Sequence, residues 1–521
     1  MAGIVAGDCL PTVPDLSVSV LSVSAALTIF LVTVVAALLT GRYRGLQSAA
    51  LLLSTAALGV LLTTLRRQQL RVEWPEGWHT YEAVVISEPQ EKPQTIAVDL
   101  LLPASRQKIK AYIRKDERSR QLSVGDGLLF RSRIEQPPAS NAASASTPSA
   151  SSASSVSAGF AGRTFDYRRY LLTHGFTGTA YIAATYWQGR QVSLRKLSVV
   201  ERSRLFFLRQ RSKLLQHYRS QGAADEQYAV LAAMTLGDKS ALTSELRDVY
   251  SVTGASHVLA LSGLHLGIIY SLLSLLVVGR RWRVITQLLI VLAIWAFVLL
   301  VGLSSSVLRA AVMLTVYALL SLGGRRKMSV STLAFTAICL LLADPYSLYD
   351  TGFQLSFLAV LAILLFLPVA DRIVPPHRLQ QHTALKWLWA MFTVSLSAQL
   401  GVAPLLAYYF GRFSCYFLLT NLIVIPCAYL VLWLALTVLC IPWLTGWLLP
   451  SLASWLQALF MSCLLGVTGF MNSVLTLLSR LPGASIDGLH PTLLQVILVY
   501  VVIAALCALI PFFLKPVERN G

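Results

Sequence analysis

"ASHVLALSGLHLGIIYSLLSLLVV" occupies positions 255–278. From Gly267 onward the run is apolar enough to sit in lipid. Its first half carries His257, Ser262 and His265, and Gly263 and Gly267 form a G-x-x-x-G. Polar groups inside a membrane segment are costly and cluster where a protein works. The stretch therefore reads as a spanning helix whose first half does more than anchor.

Working outward, the 521-residue chain is 55% hydrophobic and only 13% charged, with mean hydropathy +0.65. Soluble domains carry about 25% charged residues. Apolar segments recur near 18–40, 47–65, 256–278, 284–303, 305–323, 329–343, 353–369, 386–409, 415–441, 446–478 and 493–513. A bilayer crossing needs about 20 apolar residues, so these predict a polytopic α-helical membrane protein with about eleven transmembrane helices. The segment at 329–343 is short for a span, and 446–478 is long enough to bend or to include a surface helix. The first run has Asp8 and Asp15 before it and "GRYRG" after it. Those flanks lack the basic start and small-residue cleavage site of a signal peptide, so a retained helix is expected.

Lys and Arg number 43 against 24 Asp and Glu, a net charge of +19. Part of that surplus reads as topology signal. Arg42 and Arg44, then Arg280, Arg281 and Arg283, then Arg325, Arg326 and Lys327, then Arg372, Arg378 and Lys386, and finally Lys515 and Arg519 all fit cytoplasmic loops. The N-terminus and the polar region after residue 65 then lie outside, and the C-terminus inside. Arg66, Arg67 and Arg412 depart from this pattern.

Five domains follow. Two transmembrane helices fill 1–65, and an extracytoplasmic domain fills 66–190. A basic amphipathic interfacial helix fills 191–225, a transmembrane domain 226–515 and a cytoplasmic tail 516–521. In the external domain "TYEAVVISEP", "TIAVDLLLP", "KIKAYIR", "VGDGLLFRSRI" and "GTAYIAATYW" read as short strands between turns. They predict a small inserted β-barrel, OB-like in type. The Ala/Ser tract at 137–159 is expected to stay disordered, having too little apolar surface to fold. In "LRKLSVVERSRLFFLRQRSKLLQHYRSQ" (194–221), Leu205, Phe206, Leu208, Leu214 and Leu215 recur at roughly helical spacing among cations. Residues 66–220 hold 25 Lys and Arg against 12 Asp and Glu. Such a surplus calls for a partner with negative charge, anionic lipid or nucleic acid, and outside the membrane it fits a polyanion footprint.

Several chemistries fail on spacing. Gly237, Lys239 and Ser240 do not make a phosphate loop, because Asp238 separates the glycine from the lysine and position 232 is alanine. "LGDKSALTSELRDVYSVTG" (236–254) reads instead as a turn and then a helix capped by Thr243 or Ser244 and ended by Gly254. Seven scattered cysteines with no C-x-x-C read as apolar packers, not as a disulfide framework or metal site. His257 and His265 fall about 80° apart on an ideal helix, a poor pair of metal ligands. Ser262 and His265 can meet on one helix face, but no G-x-S-x-G and no neighbouring carboxylate supports a catalytic serine. Gly263 and Gly267 suit close helix packing. Arg309, Gln354, Gln399 and Asn421 are polar positions within later helices. Arg309 reads either as a cation reaching the membrane surface or as a phosphate contact at a pore mouth. Asp344 and Asp350 read as loop caps.

At this point four ordered blocks carry a resemblance. "LGDKSALTSELRDVYSVTGASHVLALSGLHLG" (236–267) resembles the signature of the bacterial competence-protein (ComEC) family. "DPYSLYDTGFQLSFLAVLAIL" (344–364) and "AQLGVAPLLAYYFGRFSCYFLLTNLIVIP" (398–426) resemble further family segments. "GRTFDYRRYLLTHGFTGTAYI" (162–182) resembles the join after the family's external domain. The resemblance implies a channel in the bacterial plasma (inner) membrane, not an enzyme, that passes one DNA strand inward during natural transformation. It implies single-stranded DNA as cargo, an external DNA receptor, a cytoplasmic helicase-like ATPase and membrane lipids as partners, with a homo-oligomer left open. It implies no cofactor and no metal. The path is expected to involve Gly237, Asp238, His257, Ser262, Gly263, His265, Arg309, Gln354, Gln399 and Asn421. Many family members continue into a metallo-β-lactamase-like domain, whereas this sequence carries no H-x-H-x-D-H run, so another protein is expected to degrade the second strand. The family's element before Phe165 and Asp166 is altered here. Two other classes compete: a membrane-embedded hydrolase using Ser262 and His265, and a solute transporter. The latter predicts paired internal repeats, and none is evident.

Overall fold

A computed structural model describes residues 1–9, 16–40, 43–70, 72–136, 167–190, 192, 197–223, 225–275, 282–322, 329–374, 382–445 and 450–513. The Ala/Ser tract, Arg42, Arg280, Arg281, the cluster at 325–327, Arg378, the altered element before residue 167 and the tail at 516–521 lie outside the described residues. The chain divides into two units. One takes Met1–Thr147, Asp166–Val192 and Phe335–Gln354; the other takes Ser193–Ala334 and Leu355–Gly521.

The first unit opens with α1 (Ala2–Cys9), α2 (Leu16–Leu39) and α3 (Arg44–Leu70). The sequence reading missed α1. It crosses α3 so closely that a Cβ on Gly3 would collide with the Ala56 carbonyl. Strands β1 (His79–Val85), β2 (Gln90–Glu91), β3 (Thr95–Leu102), β4 (Gln107–Arg114), β5 (Gly127–Ser132), β6 (Ile134–Glu135), β7 (Phe176–Ile182) and β8 (Trp187–Gly189) follow. All five expected strand segments form. On β4 the alternation is clean, with Ile109, Ala111 and Ile113 buried among Ile96, Val98, Leu100 and Phe130. The strands hydrogen-bond in the order β6-β7-β4-β3-β1-β5-β8, with β2 on β3. β4 and β7 run parallel and the other pairs antiparallel.

The expected closed barrel becomes an eight-stranded mixed sheet. Among the described residues its end strands β6 and β8 do not pair. The chain passes from β5 to β6 through Arg133 alone, and Ser132 Oγ donates to the Tyr181 carbonyl of β7 at 2.8 Å. A short helix α4 (Glu117–Arg120) and α5 (Tyr167–Thr173) flank the sheet sequence.

The second unit is helical. It begins with α6 (Val199–Ser220), whose first turn is closed by a capping box between Ser198 and Glu201. Next come α7 (Asp225–Leu236), α8 (Ser244–Val252), α9 (Ser256–Leu259), α10 (Gly263–Ser274), α11 (Arg283–Val301) and α12 (Ser305–Leu322). Helix α13 (Val330–Ala343) and α14 (Thr351–Ile373) each have residues in both units. Then α15 (Thr383–Phe410), α16 (Phe417–Thr445), α17 (Pro450–Ser479) and α18 (Leu493–Phe513) complete the chain. Strands β9 (Arg412–Ser414) and β10 (Ser485–Asp487) make a two-stranded ladder.

Among the described residues, seven helices are long and apolar enough to cross a membrane, and four shorter apolar helices, Val23–Leu39, Gly263–Ser274, Val330–Ala343 and Leu493–Leu509, occupy the remaining expected segments. This is a multi-pass helical membrane protein. Two expectations change. The run at 446–478 holds one helix of 30 residues, α17. The run at 256–278 is not one span. It breaks at Ala260–Ser262, and the 12 residues of α10 reach only about 18 Å against a hydrocarbon core of about 30 Å.

Candidate functional site

The signature block folds around a buried helix end. Helix α7 is enclosed on every side from Tyr228 to Leu236, so its apolar residues show no single face. It ends at Gly237, which adopts φ +73°. A Cβ there would stand 2.8 Å from Val301 Cγ1 and 2.9 Å from Leu261 Cδ1. Glycine is required on both counts, conformation and close approach. Asp238 then turns back on the chain, accepting from the Ser240 amide and hydroxyl, each at 3.0 Å. Asp238 is only 6% exposed, and its carboxylate lies 4.0 Å from Arg211 Nη2. Arg211, 8% exposed, also donates from Nη1 to the Val301 carbonyl at 2.9 Å. That carbonyl belongs to the last turn of α11, where the helix dipole favours a cation.

Helix α8 forms as expected. Thr243 Oγ1 accepts from the Leu246 amide at 3.2 Å, and Gly254 closes the end at φ +80°. His257 is exposed, and its Nδ1 donates to the Gly254 carbonyl at 3.1 Å. His265 is fully buried. Ser262 caps α10, and His265 reaches back to it: Nδ1 lies 3.3 Å from the Ser262 amide and 3.1 Å from Ser262 Oγ. Imidazole thus takes the place that Glu or Gln holds in a capping box. Because Nδ1 accepts from a backbone N–H, the ring hydrogen sits on Nε2, which has no hydrogen-bond partner among the described residues.

No cluster of three metal-binding side chains occurs among the described residues. The G-x-x-x-G also divides. A Cβ on Gly263 would meet Ala310 of α12 at 3.7 Å, whereas one on Gly267 would meet nothing within 4 Å.

Arg309 is 6% exposed and does not reach a surface. Its Nε donates to Ser356 Oγ at 3.0 Å. Gln354, in the other unit, donates to the Leu348 carbonyl at 2.9 Å. Gln399 is half-buried on α15. On α16, Asn421 Oδ1 and the fully buried Thr420 Oγ1 lack partners among the described residues, as does Ser414 Oγ just before that helix. Helices α10 and α16 are joined by Ser271 Oγ and Tyr429 Oη, 2.7 Å apart. Asp238, His265 and Arg309 are thus enclosed by protein in this structure.

Asp344 and Asp350 are loop caps as read, accepting from the amides of Tyr346 and Gly352. Arg412, out of place by topology rules, is held by Asp248 and Asp487. Those two carboxylates raise its affinity for its proton against the opposing effect of burial.

The sheet unit has its own candidate surface. Exposed Tyr181 stacks on Tyr112 with ring centres 5.1 Å apart, and Lys92 Nζ lies 4.9 Å from the Tyr112 ring. Burial first, then the neighbouring Tyr167, pushes the Tyr112 hydroxyl far up, so it stays protonated and bonded to Tyr167 at 2.6 Å. Trp78 and Tyr186, both exposed, pair at 5.4 Å, and Arg118 lies over Trp187. Flat rings interleaved with cations can stack bases and attract phosphates.

The family model described as "Competence protein" matches residues 234–513. The chain belongs to the competence-protein family. The ComE operon protein 3 of Bacillus subtilis (strain 168) is 30% identical over 263 residues, 50% of this chain and 31% of that protein. An uncharacterized protein of Aquifex aeolicus (strain VF5) is 36% identical over 158 residues, 30% of this chain and 38% of that one. The matched region covers less than two fifths of either relative. No solved structure matches. The residues matched by the family model begin at Met234, so they take in Gly237, Asp238, the Ser262–His265 cap, Arg309 and Asn421, and leave the eight-stranded sheet outside.

Sequence reasoning missed Arg211 as part of this competence-family site. Its signal was present: Leu205, Leu208, Leu215 and Tyr218 form the buried stripe of α6, and Arg211 falls on the same stripe. It also missed α7, an apolar run too short to span and therefore suited to a core helix.

Proposed function

We propose that the chain conducts single-stranded DNA across the bacterial plasma membrane during natural transformation. The observation that carries this reading is the unspent hydrogen-bonding capacity inside the helical unit. His265 Nε2, Ser414 Oγ, Thr420 Oγ1 and Asn421 Oδ1 are buried without partners among the described residues. A permanently closed interior gains by satisfying or replacing such groups. A packing that opens to admit a polyanion needs them in reserve, since phosphates cannot enter hydrocarbon. On this reading His257, Ser262, His265, Arg309, Gln399 and Asn421 become a wet lining when α10 and α16 part.

The sheet unit is the receiving surface, of oligonucleotide-binding type. Its five main strands, the parallel pairing of β4 with β7 and the near-continuous passage from β5 to β6 support that type. The Lys and Arg clusters of the short loops favour a sheet unit outside and a C-terminus in the cytoplasm. An external receptor then delivers DNA, and a cytoplasmic helicase-like ATPase draws it inward. A clean deletion tests the function, scored separately for DNA that crosses the outer envelope and DNA that reaches the cytosol. Loss of the second alone is expected; unchanged cytosolic delivery overturns the proposal.

One observation favours a hydrolase reading instead: Ser262 Oγ stands 3.1 Å from His265 Nδ1. A nucleophile needs such a base, but the base needs an orienting partner of its own, and His265 Nε2 has none among the described residues. Specific labelling of Ser262 by a covalent serine probe would decide for the hydrolase.

A further inference from the structure

Away from the Ser262–His265 cap, the helical unit contains a cleft of about 450 Å³ between the first turn of α7 and the last turns of α17. Its volume lies in the range of small-molecule sites, but its wall is unusual for one. Asn472, Ser473, Thr476 and Arg480 form a polar stripe along α17, faced by Glu226 and Gln227 of α7. Leu477 is the one large apolar side chain on the wall.

Two features show that the cleft is built. Asn472 is only 6% exposed. Its Oδ1 accepts from the buried Tyr250 hydroxyl at 2.7 Å, which fixes the amide and leaves Nδ2 without a partner among the described residues. Burial keeps that tyrosine protonated, so the donor is permanent. Opposite, the absence of a side chain at position 469 lets Gln227 approach: a Cβ on Gly469 would come within 2.8 Å of Gln227 Nε2.

The lining specifies its ligand. Asn472 Nδ2, the Gln227 carboxamide, the Thr476 hydroxyl and the Ser473 oxygen, whose own hydrogen goes to the Gly469 carbonyl at 2.9 Å, together offer both donors and acceptors, the complement of a nucleobase edge. Glu226 can accept only, and therefore suits an exocyclic amino group. Arg480, exposed at the rim, suits a phosphate. No aromatic ring among the described residues lines the cleft, so the strong stacking that immobilises bases is missing there and a bound strand can move on. A zwitterionic lipid headgroup would satisfy Arg480 and Glu226 but would leave the amide-rich wall without partners.

We propose that this cleft holds one unpaired nucleotide of the passing strand, with its base edge on Asn472, Gln227 and Glu226 and its phosphate on Arg480. The inference rests on the DNA-conducting reading above and adds a base-contacting subsite to it. It implies a preference for bases that carry an exocyclic amine.

The test is binding of fluorescent single-stranded oligo-dC and oligo-dT to the purified full chain in nanodiscs, across a salt series. Oligo-dC is expected to bind roughly three- to tenfold more tightly than oligo-dT. Glu226→Gln should erase that preference. Arg480→Gln should weaken both oligonucleotides and lower the salt slope by about one. Gly469→Ala should displace the Gln227 amide and weaken binding. Unaltered thermal unfolding of the two surface variants, Glu226→Gln and Arg480→Gln, confirms that they are folded.

Wild-type preference and salt slope in all three variants would overturn the subsite while leaving the transport reading intact. A co-purifying phospholipid that is lost in Arg480→Gln would overturn it in favour of a headgroup site. No oligonucleotide binding by the unaltered chain would count against both readings.

Discussion

Arg211 donates to the carbonyl of Val301 at 2.9 Å from a position where both the guanidinium and its second neighbour, Asp238, are almost fully buried. One cation therefore ties the amphipathic α6 to the end of α11 and to the turn after α7. Removing one member of a buried pair strands the other, at about 3–5 kcal/mol. Arg211→Ala should lower the midpoint of thermal unfolding in detergent sharply. Arg211→Met combined with Asp238→Leu should cost less than the sum of the single changes. Strict additivity would show that the two charges, 4.0 Å apart, do not interact.

His265 separates a fold role from a transport role. As a cap, it can be replaced by Gln, which reaches the Ser262 amide in the usual box geometry. His265→Ala should cost about 0.5–2 kcal/mol, the usual range for a lost cap, while His265→Gln should retain most of the stability. DNA delivery at equal protein level then reads the imidazole itself. Full delivery by the Gln variant would remove His265 from the path and leave it as a cap.

The glycines divide in the same manner. Gly237→Ala meets both a left-handed backbone and side chains closer than 3 Å, and should cost about 1–3 kcal/mol. Gly267→Ala meets nothing and should be neutral or stabilise by up to about 1 kcal/mol, because alanine favours helix. A large loss of stability at Gly267 would restore the G-x-x-x-G contact that the geometry denies.

Asp344 supplies a pH test. Burial raises its carboxyl above the ordinary aspartate value of 3.8, and Arg66, 3.5 Å away, offsets part of the rise. The folded state thus binds the proton more tightly than the unfolded chain. Stability from this group is greatest at low pH and declines as pH rises from about the unfolded value through the raised folded one. Both side chains are about a third exposed, so the effect should stay below about 1 kcal/mol. Asp344→Asn keeps the cap on Tyr346 and should flatten the wild-type pH slope without loss at neutral pH. A steeper slope, or clear destabilisation at pH 7, would contradict the sign.

Composition and periodicity made the architecture legible. Runs of apolar residues located the seven long apolar helices, and alternation in "KIKAYIR" and its neighbours located the five main strands but not β2, β9 or β10. Local chemistry was equally readable where a rule acts over three or four residues. Thr243 caps α8, Gly254 ends it, and Asp344 and Asp350 cap their loops. The polar positions were found, but not their partners. Arg309, read as a cation reaching the membrane surface or as a phosphate contact at a pore mouth, is bonded to Ser356 inside the helices. His257 and His265 were read on one helix and are separated by a break. Asn472 and its cleft left no signal, because a lone Asn in an apolar run reads the same whether its amide is paired or waiting.

Four motif blocks carried the resemblance to the competence-protein family, and the order of hydrophobic and polar residues determined that this chain enters a membrane and carries a β-rich insert. Those properties depend on local burial and hydrogen bonding, which act along the chain. Only the tertiary structure decided which buried groups meet. Arg211 finds Val301 across 90 positions, and Tyr250 finds Asn472 across 222. The partner of a buried polar atom is set by which helices pack together, and no pattern within one segment records that choice.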